Sequence, residues 1–318
     1  MSRVALHSGS WYSENETELD DQLSCWLSSA TTTINGQALP TADVRAIISP
    51  HAGYAYSGQA AAYAFKCLQN PSIKRVFILG PSHHVYLRGC ALSACRTYET
   101  PLGNLTLDHD TMDALTATGH FTPMSQSVDE EEHSIEMQLP YLYKMLKILG
   151  KETSTKIVPI LVGALSDKRE KLYGELLAPY LADHDNFFVI SSDFCHWGTR
   201  FRYTFYSPDD KPSTYPGNVQ DFKVHPLPIY RAIENLDREG MGILETLSYD
   251  EFTHYLDVTS NTICGRHPIG VLLCAVEHLR VRPENVALRF VYYAQSSSVK
   301  TIRESSVSYA SAYLTIAS

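Results

Sequence analysis

The chain has 318 residues, a net charge of −9 and 44% hydrophobic residues, which is the composition of a folded globular protein. Its acidic balance and the lack of a basic stripe argue against a general nucleic-acid-binding protein. A chain of this length can bury a large core without disulfides, and an α/β protein of this size often forms one domain.

Thirteen histidines and seven cysteines are the part of the composition that bears on chemistry, because both side chains bind metals and transfer protons or electrons. The cysteines are odd in number and include no CxxC pair, and no apolar leader follows Met1. This pattern predicts free thiols in the cytoplasm, with the nucleus as a further location. No apolar run approaches the roughly 18 residues of a membrane span, so membrane insertion is not expected.

Short β-branched segments alternate with helical patterns along the chain, which predicts one α/β domain over residues 1–318. The predicted architecture is a central, mostly parallel or mixed sheet flanked by helices. The predicted strands are 44–49, 75–79, 156–162, 186–191, 288–293 and 306–316. The predicted helices are 13–29, 58–68, 132–149, 167–181, 229–237, 248–258 and 268–279, with capping boxes at Ser13 and Ser248 and a kink at Pro140. A proline-rich segment at 207–228 is predicted to be a surface loop inserted in this domain.

Three histidines, His51, His83 and His196, each follow closely on a predicted strand. His84 adjoins the second of them, and Asp193 precedes the third. In open α/β sheets, ligands bind at the carboxyl ends of the strands. If these strands are parallel neighbours, the three imidazoles converge on one crevice. For any one of them, the alternative is a structural histidine whose hydrogen bonds are satisfied.

Cys264 lies just before a predicted helix, next to Arg266. The helix dipole and the guanidinium should both favour the thiolate over the thiol. A thiolate with two imidazoles is a recognisable ligand set for copper, zinc or iron. The alternative is a buried, inert thiol, which is the interpretation that we give to the other six cysteines.

Other residues are second-tier candidates. The three glutamates at 130–132 are interpreted as the solvated start of a helix rather than as a metal cluster. His133 and Glu136 lie one turn apart on that helix and would reach the crevice if its N-terminus faced it. Trp11 either belongs to the core or lines the cleft.

Six separate motifs then resemble the Memo family, in the order that the family has them. They are HAGYAYSG at 51–58, GPSHH at 80–84, EHSIEM at 132–137, SDFCHWG at 192–198, NTICGRHPIG at 261–270 and YAQSS at 293–297. The resemblance extends from about residue 7 to about residue 315. The proline-rich segment looks like an insertion relative to animal members.

The resemblance implies a fold similar to that of class III extradiol non-haem iron dioxygenases, which hold a metal with two histidines and one carboxylate. By motif, the two histidines correspond to His51 and His83, and Cys264 takes the place of the carboxylate. His196 takes the place of the acid–base histidine, with Asp193 beside it to orient or tune it. The family is associated with copper or iron binding, redox activity and growth or motility signalling.

Three functions compete on this basis. The first is a redox protein with one copper or iron ion per chain, in which the soft ligand Cys264 favours copper. The second is an adaptor whose crevice, with Trp11, Tyr56, His133 and Arg202, receives a peptide or a phosphorylated or otherwise anionic side chain. For Arg202 the alternative is a solvated surface residue. The third is an extradiol-type dioxygenase, which ranks last because Cys264 replaces a carboxylate.

Overall fold

The structure is a computed structural model, and it describes residues 1–34, 37–39, 42–208, 211–214 and 227–317. The strands are β1 (Ser2–Arg3), β2 (Thr33–Ile34), β3 (Gln37–Ala38), β4 (Val44–Ser49), β5 (Arg75–Pro81), β6 (Cys90–Leu92), β7 (Thr97–Thr100), β8 (Gly103–Thr106), β9 (Phe121–Pro123), β10 (Lys156–Val162), β11 (Asn186–Ser191), β12 (His196–Trp197), β13 (Val286–Gln295) and β14 (Ser306–Ile316). The helices are α1 (Glu16–Ser29), α2 (Tyr54–Phe65), α3 (His109–Ala117), α4 (Gln126–Glu131), α5 (His133–Glu136), α6 (Leu139–Ile148), α7 (Asp167–Ala182), α8 (Ile229–Glu245), α9 (Tyr249–Thr259) and α10 (Arg266–Leu279).

In the described part of the chain, nine strands form one mixed sheet. Its order is β12-β14-β4-β11-β5-β10-β6-β9, and β13 also pairs with β14. The four central strands β4, β11, β5 and β10 are mutually parallel, whereas β14 runs antiparallel to β4 and β6 runs antiparallel to β10. This confirms the predicted α/β class with a mixed, mostly parallel sheet flanked by helices. The closer likeness to extradiol dioxygenases stays a prediction.

Every residue of β4 and of β11 is buried, so both faces of these central strands are covered. Helices α7 and α10 pack closely on each other, because Gly174 leaves room for Cys274. The N-terminus of α10 docks against the end of β11, where the Gly265 N–H donates to Ser192 Oγ at 3.1 Å. A side chain at position 265 would collide with Ser192. This close approach brings Cys264 to the carboxyl edge of the sheet.

Most predicted strands are confirmed with the predicted bounds, and β5 and β13 are longer than predicted. The single helix predicted over 132–149 is instead two helices, α5 and α6, separated by residues 137–138. Pro140 lies in the first turn of α6, where its missing N–H costs nothing. The prediction of a kink at Pro140 is therefore wrong, because the proline begins a helix instead of bending one.

One predicted cap is also wrong. Asn15, not Ser13, precedes α1, and its side chain accepts the Glu18 N–H at 3.0 Å. Ser13 instead donates its hydroxyl to the Glu18 carboxylate at 2.6 Å. Ser248 does cap α9, where its Oγ accepts the Glu251 N–H at 3.2 Å.

The predicted loop at 207–228 falls largely outside the described residues, which omit 209–210 and 215–226. The loop and the single domain over 1–318 therefore stay predictions. Within the described ranges, no helix is both long and apolar enough to cross a membrane.

Candidate metal centre

A cavity of about 700 Å³ opens at the carboxyl edge of the central sheet. Its floor is polar and holds His51, His83, His133, Asp193 and His196. Aromatic side chains and serines form its walls: Trp11, Tyr56, Phe201, Tyr309, Ser296, Ser297, Ser305 and Ser306. The parallel neighbours β4, β11 and β5 end here, so the predicted convergence of His51, His83 and His196 on one cavity is confirmed.

Three imidazoles form a candidate metal-binding group: His51, His83 and His133. One ring nitrogen from each lies within 4.8 Å of the others. Ligand atoms more than about 5 Å apart cannot share one ion at normal bond lengths without movement. The rings of His83 and His133 are stacked with centroids 4.4 Å apart, and both contact His51 edge-on. His133, a second-tier candidate, is thus a full member of the group.

His51 is held by a hydrogen bond that determines which ring nitrogen faces the group. Ser191 Oγ donates to the carbonyl of Ser134 at 2.7 Å, so it must accept the Nδ1–H of His51, which lies at 2.7 Å. The lone pair of His51 is therefore on Nε2. Burial, with the neighbouring His83, lowers the pKa of His51 well below its ordinary value. His51 is accordingly in the neutral form that binds metals.

His83 is held from behind by a buried carboxylate. Its Nδ1–H donates to Glu132 Oε1 at 2.9 Å, and its backbone N–H donates to Oε2 at 2.6 Å. Burial raises the pKa of Glu132, but the hydrogen bonds and charge of His83 outweigh burial and lower it. A carboxylate behind a histidine orients the ring and raises its basicity as a ligand. The interpretation of Glu132 as a solvated residue is wrong, since it is 2% exposed.

His133 lies between two flat side chains. Its ring packs on His83 on one side and on the indole of Trp11, with centroids 4.6 Å apart. Burial, followed by the neighbouring imidazoles His51 and His83, lowers the pKa of His133 to about 3. Trp11 therefore lines the cleft instead of belonging to the core.

Cys264 adjoins the group through His51. Its Sγ lies 3.1 Å from His51 Nε2, and it accepts the Asp193 N–H at 3.2 Å. Because Nε2 carries the lone pair, the thiol donates to it. Burial and the charge of Asp193 raise the pKa of Cys264 well above its ordinary value. The expectation that the helix dipole and Arg266 favour a thiolate is therefore wrong, since burial and the carboxylate outweigh them.

His196 and Asp193 lie on the same floor but are held separately. The Nδ1–H of His196 points to the carbonyls of Phe194, at 2.9 Å, and Thr262, at 3.2 Å. Asp193 Oδ1 instead accepts the backbone N–H of His51 at 2.9 Å. Burial raises the pKa of Asp193, against the opposing charge of His196. Carbonyls, not Asp193, orient His196, and the catalytic roles of both residues stay predictions.

The arginine that lines the cavity is Arg200, and in the described chain Arg202 is not among the lining residues. The guanidinium of Arg200 lies over the ring of Phe201 at 4.4 Å. Arg202 is exposed and has a left-handed φ of 56°, which turns the chain away after a short 3-10 helix. Tyr56 lines the cavity as expected and is 66% exposed.

Sequence reasoning missed the residues that hold the histidines from behind. Ser191 is the last residue of β11, and its position two residues before Asp193 was the available signal. Nothing local indicated that Gln138 would reach Ser191 Oγ, at 3.0 Å, or that Arg3 and His7 would lie behind the site. These contacts join residues that are far apart in the chain.

Fold and site together define an α/β protein with a candidate metal centre of three imidazoles. A family model described as Memo-like protein matches residues 3–313. The protein memo-1 homolog of Caenorhabditis elegans is 48% identical over 314 residues, which cover 98% of this chain and 82% of that one. Protein MEMO1 of Xenopus tropicalis is 48% identical, and that of Homo sapiens 46%, each over 316 residues that cover 99% of this chain and 98% of the relative. The chain belongs to the Memo family.

Among solved structures, an uncharacterized Escherichia coli protein (JW3007) matches with a TM-score of 0.43 at 14% identity. The match covers 84% of this chain and 99% of that chain.

Proposed function

We propose that the chain is a redox protein that holds one copper or iron ion at His51, His83 and a third ligand in the cavity. The observation that carries the proposal is the group of three imidazole nitrogens within 4.8 Å of one another. The Memo resemblance supports a role in redox-linked growth or motility signalling.

The donor set fits a first-row transition metal. Imidazole nitrogens suit copper, iron and zinc, whereas Mg²⁺ and Ca²⁺ prefer oxygen ligands. The carboxylate of Glu132 stands behind His83 as a hydrogen-bond acceptor, in the arrangement common to metal-binding histidines. A bound copper or iron ion would supply one-electron chemistry, and His196 beside it would donate or accept a proton.

Two residues compete for the place of third ligand. His133 belongs to the imidazole group, and Cys264 lies against the same lone pair of His51 that an ion would use. A metal would therefore have to displace the thiol hydrogen bond, and the sulfur, once deprotonated, would add a soft ligand that selects Cu(I). We propose that Cys264 is a ligand in the copper form.

The test is metal titration of wild type, Cys264→Ser and His133→Asn, with His84→Asn as control. His84 is an exposed neighbour whose ring is 6.0 Å from His133 and which is outside the group. Cys264→Ser should lower the affinity for Cu(I) at least about tenfold and remove any sulfur-to-copper absorption of the Cu(II) form. His133→Asn should lower the affinity for both copper and Fe(II), whereas His84→Asn should leave both affinities unchanged.

If Cys264→Ser holds Cu(I) as tightly and with the same spectrum as wild type, Cys264 is not a ligand. If wild type itself retains neither metal at micromolar concentration, the proposal fails altogether.

A second candidate function is an adaptor for acidic or phosphorylated peptides. The cavity is larger than one ion needs, at about 700 Å³, and Arg200 lines it. A guanidinium that is packed on an aromatic ring is well placed to bind a phosphate or carboxylate.

Arg200→Ala and Arg202→Ala form a matched pair for this function. Arg200→Ala should weaken binding of a phosphotyrosine peptide at least about tenfold, whereas Arg202→Ala should leave it unchanged. Isothermal titration would measure both. Equal affinities for the two variants and wild type would contradict the role of the cavity.

A further inference from the structure

The N-terminal strand inserts one arginine behind the candidate metal centre. β1 pairs with β7, and this pairing places Arg3, which is 0% exposed, beneath the stretch 129–136. Its guanidinium contacts Asp129 Oδ1 at 3.1 Å and Glu136 Oε2 at 2.8 Å. It also donates to the backbone carbonyl of Glu132 at 2.9 Å. One side chain thus holds three points of the stretch that carries His133.

This stretch brings three carboxylates out of water. Asp129 and Glu132 are each 2% exposed, and Glu136 is 0% exposed. Buried carboxylates need hydrogen bonds or a counter-charge to remain in place. Arg3 contacts two of the three carboxylates directly and the backbone of the third. Without its guanidinium, Asp129 and Glu136 would lose their buried counter-charge, and the Glu132 carbonyl would lose a hydrogen-bond donor.

Two of these carboxylates, Glu132 and Glu136, hydrogen-bond residues that lie at or next to the cavity. Glu132 receives the ring and backbone N–H groups of His83. Glu136 receives the backbone N–H of His7 at 2.9 Å and also bonds the His7 ring and the Tyr12 hydroxyl. The His7 ring in turn packs against Trp11 and His133. The positions of His83 and His133 therefore depend on where Glu132 and Glu136 stand.

We propose that Arg3 is a positioning residue for the His51, His83 and His133 centre. Through Glu132 it orients His83, and through Glu136 it holds the wall of His7 and Trp11 against His133. The N-terminal segment is thereby part of the centre, although none of its residues belongs to the three-imidazole group. The proposal rests on the proposed metal function, and its test separates the two.

The test uses the full chain with Arg3→Met, Arg3→Lys and the control Arg75→Met. Arg75 pairs with Asp108 at 2.6 Å at the start of β5, the end of the strand away from His83. Titration with Co²⁺ reports on the centre by affinity and by the visible absorption bands. Losses from residues behind metal ligands are typically about 10–100-fold in affinity.

Arg3→Met should weaken Co²⁺ binding about 10–100-fold and shift the visible bands, and Arg3→Lys should recover part of the affinity. Arg75→Met should lower the unfolding midpoint while it leaves affinity and bands unchanged. If Arg3→Met does not fold, the Co²⁺ affinity and visible bands of Arg3→Lys are compared with those of wild type, and this comparison tests the positioning role.

A second measurement needs no metal. Amide hydrogen exchange of His83 and His7 reports the two N–H groups that donate to Glu132 and Glu136. Arg3→Met and Arg3→Lys should raise the exchange rate of both amides by more than their loss of global stability explains. Arg75→Met should raise these rates only as far as its loss of stability explains.

If wild type binds no Co²⁺ but the variants show this exchange pattern, the metal function is refuted and the positioning role of Arg3 is kept. Unchanged affinity, bands and exchange in the Arg3 variants would overturn the positioning role. The positioning role would also be overturned if Arg3→Met and Arg75→Met both lost Co²⁺ affinity in proportion to their loss of stability.

Discussion

Each of two candidate ligands, His51 and His83, is oriented by a hydrogen bond on the far side of its ring. Ser191 does this for His51 and Glu132 for His83. The partner determines which ring nitrogen carries the proton, and so which nitrogen offers a lone pair to the cavity. The chemistry of the site is therefore decided as much by the residues behind the imidazoles as by the imidazoles themselves.

Ser191→Ala should weaken metal binding about 10–100-fold, because the Nδ1–H of His51 loses its acceptor and the ring is free to turn. Ser49→Ala is the matched control at the end of the neighbouring strand. Ser49 is 0% exposed, and among the described residues its Oγ has no hydrogen-bond partner. Metal titration and urea unfolding of both variants would check this, and equal affinities would contradict the role of Ser191.

At the scale of elements, the positions at which helices begin determine where the site residues lie. The break between α5 and α6 follows from Pro140, and it leaves His133 on a separate short helix. The start of α10 brings Cys264 against His51 because Gly265 admits Ser192.

Asn15→Ala should lower the free energy of unfolding by about 1 kcal/mol, because the Glu18 N–H at the start of α1 loses its acceptor. Ser13→Ala removes only a hydrogen bond between exposed side chains and should cost a few tenths of a kcal/mol. Urea denaturation would measure both. A larger loss for Ser13→Ala would restore Ser13 as the cap.

At the scale of the whole molecule, buried carboxylates join elements that are distant in sequence. Asp237 on α8 is 0% exposed and accepts the Cys195 N–H, the Asn261 amide and the Tyr293 hydroxyl. It thereby links the site floor to β13 and to the segment before α10. Burial raises the pKa of Asp237 from 3.8 to about 6, against the hydrogen bonds that lower it.

This raised pKa predicts a pH dependence of stability. The protonated Asp237 carboxyl stabilises the folded state fully below about pH 4, and this stabilisation is lost as pH rises through about 6. The change is on the order of 3 kcal/mol. Asp237→Asn should gain stability relative to wild type as pH rises from 4 to 7, measured by urea unfolding. A constant difference between the two proteins over that range would contradict the prediction.

The candidate site was partly predictable because strand ends are local features. Apolar β-branched runs marked β4, β5 and β11, and the residues after them, His51, His83 and His196, do line one cavity. Arg200 and Arg202 could not be told apart, since one left-handed residue decides which of them faces the cavity. Cys264 does lie against His51, but its pKa is raised by burial in the folded chain and then by the charge of Asp193, which no local pattern showed.

The sequence by itself determined the α/β class, the bounds of most central strands, the strand-end histidines and the family resemblance. All of these depend on composition, periodicity and short motifs within the chain. Only the tertiary structure decided that His133 completes the imidazole group, that Glu132 is buried behind His83, and that Arg3 supports both. Those contacts join residues 49 to 133 positions apart, as in His83 with Glu132 and Arg3 with Glu136, so they exist only once the sheet has brought its strand ends together.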